Sequence, residues 1–140
     1  IEYIVHELPS RASYELEEND IITAVAGNSV GTKKHATALV SNDYVGAICT
    51  NGFRVLRNIK IDKYFLLFYL KSDLFLQQVF MYRTGAAIPT ISDIDLANIL
   101  IYLPSQKIIN KISMQVKEAI NLRQQAINIL NNLDITLDAK

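Results

Sequence analysis

The most site-like stretch of the chain is Gly27-Asn28-Ser29-Val30-Gly31-Thr32-Lys33-Lys34-His35. Its two glycines permit left-handed backbone and a close approach of main-chain amides to an anion, while Asn28, Ser29, Thr32, Lys33, Lys34 and His35 supply donors. A nucleotide-phosphate loop needs Gly-Lys-Ser/Thr at the end of a fixed spacing, and this loop lacks it. Contact with a nucleic-acid backbone or with base edges suits the donors better, since Lys bonds guanine acceptors and Asn or Ser reaches several edges. A flexible hairpin loop is the plain alternative. Arg54 and Arg57 add two cations that project from a run, Phe53 to Arg57, otherwise turned to the core.

Other chemistries find no support. Gly-x-Ser-x-Gly, His-Glu-x-x-His and Gly-x-Gly-x-x-Gly are all absent. His6 and His35 have no partner pattern for a metal site or a nucleophile and base, so no metal is expected. Asp93 and Asp95 lie on a short turn, where a solvated cap explains them better than an acid-base pair. Cys49, the single cysteine, excludes an intrachain disulfide and a cysteine-rich zinc cage, and a reducing cytoplasm is its natural compartment. No glycine turn for a cofactor is present, so none is expected.

The 140 residues, half of them apolar, fit one domain with an appended helix. No apolar run approaches the ~20 residues needed to cross a bilayer. The densest, Tyr64 to Leu70, is interrupted at Lys71 and Asp73, so a soluble protein without a membrane partner is expected. The chain begins with Ile and shows no signal-peptide pattern, which suggests a fragment of a longer protein. Net charge is zero, but its distribution is uneven: residues 1–30 hold six acids and one base, residues 31–83 eight bases and three acids, and residues 84–140 five of each. The middle third is where an anionic partner would bind, unless those charges merely keep a surface solvated.

Apolar patterning places the elements that must carry these residues. Strands are expected at Ile1–Leu8, Ile21–Val25, Ala36–Val40, Tyr44–Thr50 and Phe53–Arg57, with Ser13–Leu16 as a short extended piece and Asn51-Gly52 as a type I′ turn. Asp62 is the expected N-cap of a helix over Tyr64–Leu70, and Lys71-Ser72-Asp73 breaks it and caps a second helix from about Leu74 to Met81. Gly85 is positioned to end that helix in left-handed conformation. An apolar strand near 98–103 then stops at Pro104. Beyond it Ile109, Ile112, Val116, Ala119, Arg123, Ala126, Leu130, Leu133 and Leu137 step by three and four, an a/d seam with one polar member. A stripe that wide should pack on another helix. The expectation is an α+β fold: a twisted, mostly antiparallel sheet with two packed helices, followed by a long coiled-coil-like helix.

The order Gly85-Ala86-Ala87-Ile88-Pro89-Thr90-Ile91-Ser92, then Ile99-Leu100-Ile101-Tyr102-Leu103-Pro104, then a long helix, resembles a junction in the specificity subunits of type I restriction-modification systems. There a target-recognition domain ends in "TG-(S/A)-x-I-P-x-(I/L)-S" and "I-x-(I/V)-P-L-P". Asn19-Asp20-Ile21-Ile22 is similar to that family's "(G/N)-D-I-(I/L)", with Asn19 where Gly is frequent, and Tyr64 to Leu70 is similar to its "Y-F-L-x-Y-x-L". The resemblance covers roughly residues 13 to 131, and only the junction is specific.

The resemblance implies a DNA target-recognition domain over residues 1–103 and a spacer or dimerisation helix over 104–140. It places the Gly85 loop near DNA, which adds Arg83, Thr84 and Ala86 to the candidate surface. It implies double-stranded DNA, a methyltransferase subunit, and a second recognition domain or a second copy joined through the helix as partners. The chain itself would be non-catalytic. The alternatives are a recognition domain fused to an N6-adenine methyltransferase and an assembly module that works through its helix alone.

Overall fold

The computed structural model describes residues 15–138, with side chains to Leu133. The expected strand at 1–8 lies outside them, as do His6 and Arg11. A three-stranded antiparallel sheet has the order β2-β1-β3, with β1 at Ile21–Ala24, β2 at Thr37–Leu39 and β3 at Phe53–Leu56. Ile21 faces Leu39 on one side and Leu56 on the other. The helices are α1 (Lys63–Tyr69), α2 (Asp73–Tyr82), the short α3 (Asp93–Ala97) and α4 (Gln106–Asp138).

Local chemistry starts α1 and α2 where the sequence predicts, and it also starts α3, a helix where the sequence predicts only a turn. The Asp62 side chain accepts from the Phe65 amide, Ser72 from Phe75 and Ser92 from Asp95, so each satisfies an amide that the helix cannot. The core lies between the sheet and α1 and α2, built on Ile21, Val30, Leu66, Phe75 and Val79 and closed by Ile91, Ile99 and Ile109. Asn19 has φ of +72°, a left-handed conformation that Asn tolerates and Gly adopts freely, which accounts for Gly at the corresponding place in the similar motif.

Several expectations need correction. Tyr44–Thr50 is not a strand: Asn42–Tyr44 forms a 3-10 turn, Gly46 takes φ of +85°, and only Ile48 pairs, with Glu15. Residues 98–103 form no strand: Asn98 caps α3 in helical conformation, and Gln78 takes both the N–H and the C=O of Leu100. Asn51 and Gly52 both keep negative φ, so the Thr50–Phe53 turn is not type I′. Gly85 does have φ of +99°, yet α2 already ends at extended Arg83. Gly85 instead opens a loop closed by paired Thr84 and Thr90, whose amides and carbonyls exchange two 2.8 Å bonds. An added Cβ there would lie 2.5 Å from the Ile88 carbonyl oxygen.

The 33 residues of α4 span about 50 Å at 1.5 Å each. Its first half lies on α1: Ile109 is buried, and Ile112, Val116 and Ile120 pack partly buried against the core. From Asn121 to Leu133 every side chain is exposed.

Candidate nucleic-acid interface

Antiparallel pairing sends β1 out of the sheet at the same end where β2 and β3 begin. The 25–36 loop, the 50–53 turn and the 84–92 segment therefore meet at one end of the domain. Main-chain bonds fasten them together. Val25 N–H donates to Gly52 O at 2.7 Å, Gly27 N–H to Pro89 O at 2.9 Å, and Ile91 N–H to Val25 O at 2.9 Å. This end carries Lys33, Lys34, Arg54 and Arg83 against Asp73, Asp93 and Asp95. The opposite end, with residues 15–20, 40–46 and 57–63, carries Glu15, Glu17, Glu18, Asp20, Asp43 and Asp62 against Arg57, Lys60 and Lys63. Charge thus separates along the sheet, with the basic end where the loops meet.

The 27–35 loop is a folded unit rather than a flexible hairpin. Gly27 and Gly31 have φ of +119° and +76°, and Gly31 lies so close to α2 that a Cβ would come within 2.8 Å of the Phe80 nitrogen. Thr32 Oγ1 donates to Ser29 O at 2.8 Å and accepts from Lys34 N–H at 3.2 Å. Asn28, Lys33 and Lys34 are exposed, and Ser29 and Thr32 are half-buried. Thr84 and Ala86 are also exposed, beside Ile88, which is 62% exposed.

His35 does not join this surface. It is buried; its Nδ1 accepts the Gly31 N–H at 3.0 Å, which leaves the proton on Nε2 to donate to Thr23 Oγ1 at 2.8 Å. Thr23 Oγ1 in turn meets Thr37 Oγ1 at 3.0 Å. The ring stands edge-on to Phe75, and burial, with the nearby Lys71 charge, lowers its pKa to about 4. It is a neutral pin that ties the loop to the sheet.

Arg57 is likewise corrected. It sits at the far end, where it clasps buried Asp20 through Nε at 2.9 Å and Nη2 at 2.7 Å, and it also meets Glu17 at 3.0 Å. Arg83 stays at the loop end but braces it: Nη1 donates to Val30 O at 2.9 Å, and the guanidinium stacks 3.8 Å from the Phe80 ring centre. Arg54 donates from Nε to Asp93 Oδ1 at 2.6 Å and from Nη1 to Asn51 O and Phe53 O. Sequence reasoning passed over Asp93 as a cap, because its partner is 39 positions away.

A small apolar pocket lined by Thr23, Leu56, Phe75 and Leu96 measures about 10 Å³, room for about one water. Among the described residues no cluster of His, Cys, Asp and Glu has the arrangement to hold a metal, and no helix is long and apolar enough to cross a membrane.

A small α+β domain with a basic loop end and a helical rod is the class these features define. Over 88% of its length the chain matches the HsdS subunit from Thermoanaerobacter tengcongensis, with 30% identity and a TM-score of 0.59. A chain from a structure of a type I R-M system, described for its complex assembly and conformational transition, matches over the same share with 29% identity and a TM-score of 0.59. No family model and no curated protein matches the sequence. The chain is thus built as a segment of a type I restriction-modification specificity subunit, and it spans 31% of the length of each chain it matches.

Proposed function

We propose that this chain is a DNA target-recognition domain that reads one half of a split site and directs a partner methyltransferase or endonuclease to it. The meeting of three loops at the basic end of the sheet carries this reading, because assembly through a helix alone requires no such surface. Exposed Lys33 and Lys34 reach phosphates, while Asn28, Ser29, Thr32 and Thr84 offer donors and acceptors for base or sugar contacts. The domain supplies recognition, and catalysis belongs to the partner. In a reducing cytoplasm the lone Cys49 stays a thiol.

The helix is the second working part. Leu122, Ile129, Leu130 and Leu133 are each more than half exposed on the projecting half of α4. That face suits the helix of a second recognition domain, or a second copy of this chain, and Arg123 on the seam sets register. Ala119 and Arg123 stand exposed where the seam leaves the domain, and Leu137 continues its spacing.

Binding of the parent protein, with its methyltransferase partner, to a random duplex library tests the reading. Enrichment of a bipartite sequence is expected. Enrichment of no sequence would leave α4 assembly as the chain's role.

A further inference from the structure

We infer that Arg54 reads an acceptor on a base edge through Nη2, and that Asp93 is the positioning residue that aims it. This inference rests on the recognition reading above. Arg54 is the second residue of β3, at the end where the loops meet, and its side chain is 21% exposed. Three of its donor directions are fixed by Asp93 Oδ1 at 2.6 Å, Asn51 O at 3.2 Å and Phe53 O at 3.1 Å. Nη2 bonds to nothing among the described residues, so its two hydrogens are held in place and unspent.

Charge decides between a phosphate and a base as the target. Phosphate attraction depends on net charge, and Asp93 at 2.6 Å cancels most of what Arg54 would exert over several ångströms. Donor direction survives that pairing. A neutralised, aimed guanidinium therefore loses little as a base reader and much as a phosphate contact. Lys33 and Lys34, exposed on flexible stems, have the opposite properties. Nη2 can make one well-aligned bond to a single base-edge acceptor, such as guanine O6 or N7 or thymine O4, since the two hydrogens of one nitrogen diverge too widely to span a guanine edge together.

The test is library selection by the parent protein with its methyltransferase partner, for wild type, Arg54→Met and Asp93→Ala. Methionine keeps an unbranched stem and removes every donor. Arg54→Met should lower the base preference at one position by roughly five- to tenfold, the low end for a base contact, and leave the other positions alone. Asp93→Ala should loosen the same position while tightening non-specific binding and steepening its salt dependence, as the Arg54 charge is released. A uniform loss across all sequences with a flatter salt slope in Arg54→Met would make Arg54 a phosphate contact and overturn the inference, as would unchanged preferences in both variants. If Arg54→Met unfolds, Asp93→Ala decides alone. Selection of no sequence by the wild type is a separate outcome, which removes the recognition reading and this inference with it.

Discussion

Asp62 and Ser113 are joined side chain to side chain: the Ser113 hydroxyl donates to Asp62 Oδ2 at 2.8 Å while Oδ1 accepts the Phe65 amide at 2.9 Å. One carboxylate therefore starts α1 and holds α4 against it. Asp62→Ala should cost about 1–2 kcal/mol, and Ser113→Ala about 0.5–1.5 kcal/mol. Because they share one bond, the double variant should lose less than the sum in urea titration. Strict additivity would show that the tether contributes nothing.

His35 makes stability depend on pH. Its folded pKa of about 4 lies below the ordinary 6.5, so between these values the unfolded chain binds more protons than the folded one. Stability should accordingly be full above pH 6.5, fall as pH drops towards 4, and lose no more from this group below that. The loss is about 1–3 kcal/mol. Carboxylates titrate in the same range, so the comparison is wild type against His35→Gln, which should lack this part of the slope.

Gly31→Ala meets two obstacles, the positive φ and the Phe80 backbone 2.8 Å from the new Cβ. A loss of at least about 1–3 kcal/mol is expected. Hydrogen exchange should speed up first in residues 27–35, since those amides depend on the loop's seat against α2. Uniform acceleration through β1 and β3 would show that the loop has no separate seating energy.

Salt dependence separates the cations by place. Lys33→Glu with Lys34→Glu should reduce the slope of log K against log salt by about 0.9 for each phosphate contact removed. Arg57→Gln, at the acidic end, should leave the slope unchanged yet cost about 3 kcal/mol, because it strips the charge partner from Asp20, which is 2% exposed. Unaltered duplex binding by the lysine double variant in the assembled enzyme would refute their role.

On α4 the two halves should respond differently. Leu130→Asp with Leu133→Asp should convert a self-associating fragment to monomer in sedimentation and leave its melting temperature almost unmoved. Ile112→Asp should instead destabilise the domain, since Ile112 packs against its core. A wild-type fragment monomeric at high micromolar concentration would show that the free face belongs to another partner helix.

Caps, breaks and period were legible in the sequence because they are decided within one or two turns of chain. Asp62 and Ser72 begin α1 and α2 through amides three residues on. The step of three and four from Ile109 onward required a helix with one apolar face whatever covered that face. The junction from Gly85 to Pro104 and the left-handed place at Asn19 carried the likeness to specificity subunits for the same local reason.

Tertiary structure decided which groups were left over for function. A strand puts Arg54 and Arg57 on opposite faces, and only the fold brings Asp93 to one and Asp20, 37 positions away, to the other. His35 has the formula of a surface donor until β1 and α2 close over it, after which desolvation and the Thr23 hydroxyl keep it neutral. The same holds for the apolar seam. Ile109, Ile112 and Val116 read as dimer positions until α1 covers them, and what remains free begins past Ile120. Sequence spacing fixes which residues share a face, but which face is spent within the chain depends on contacts between segments far apart, and those exist only once the chain has folded.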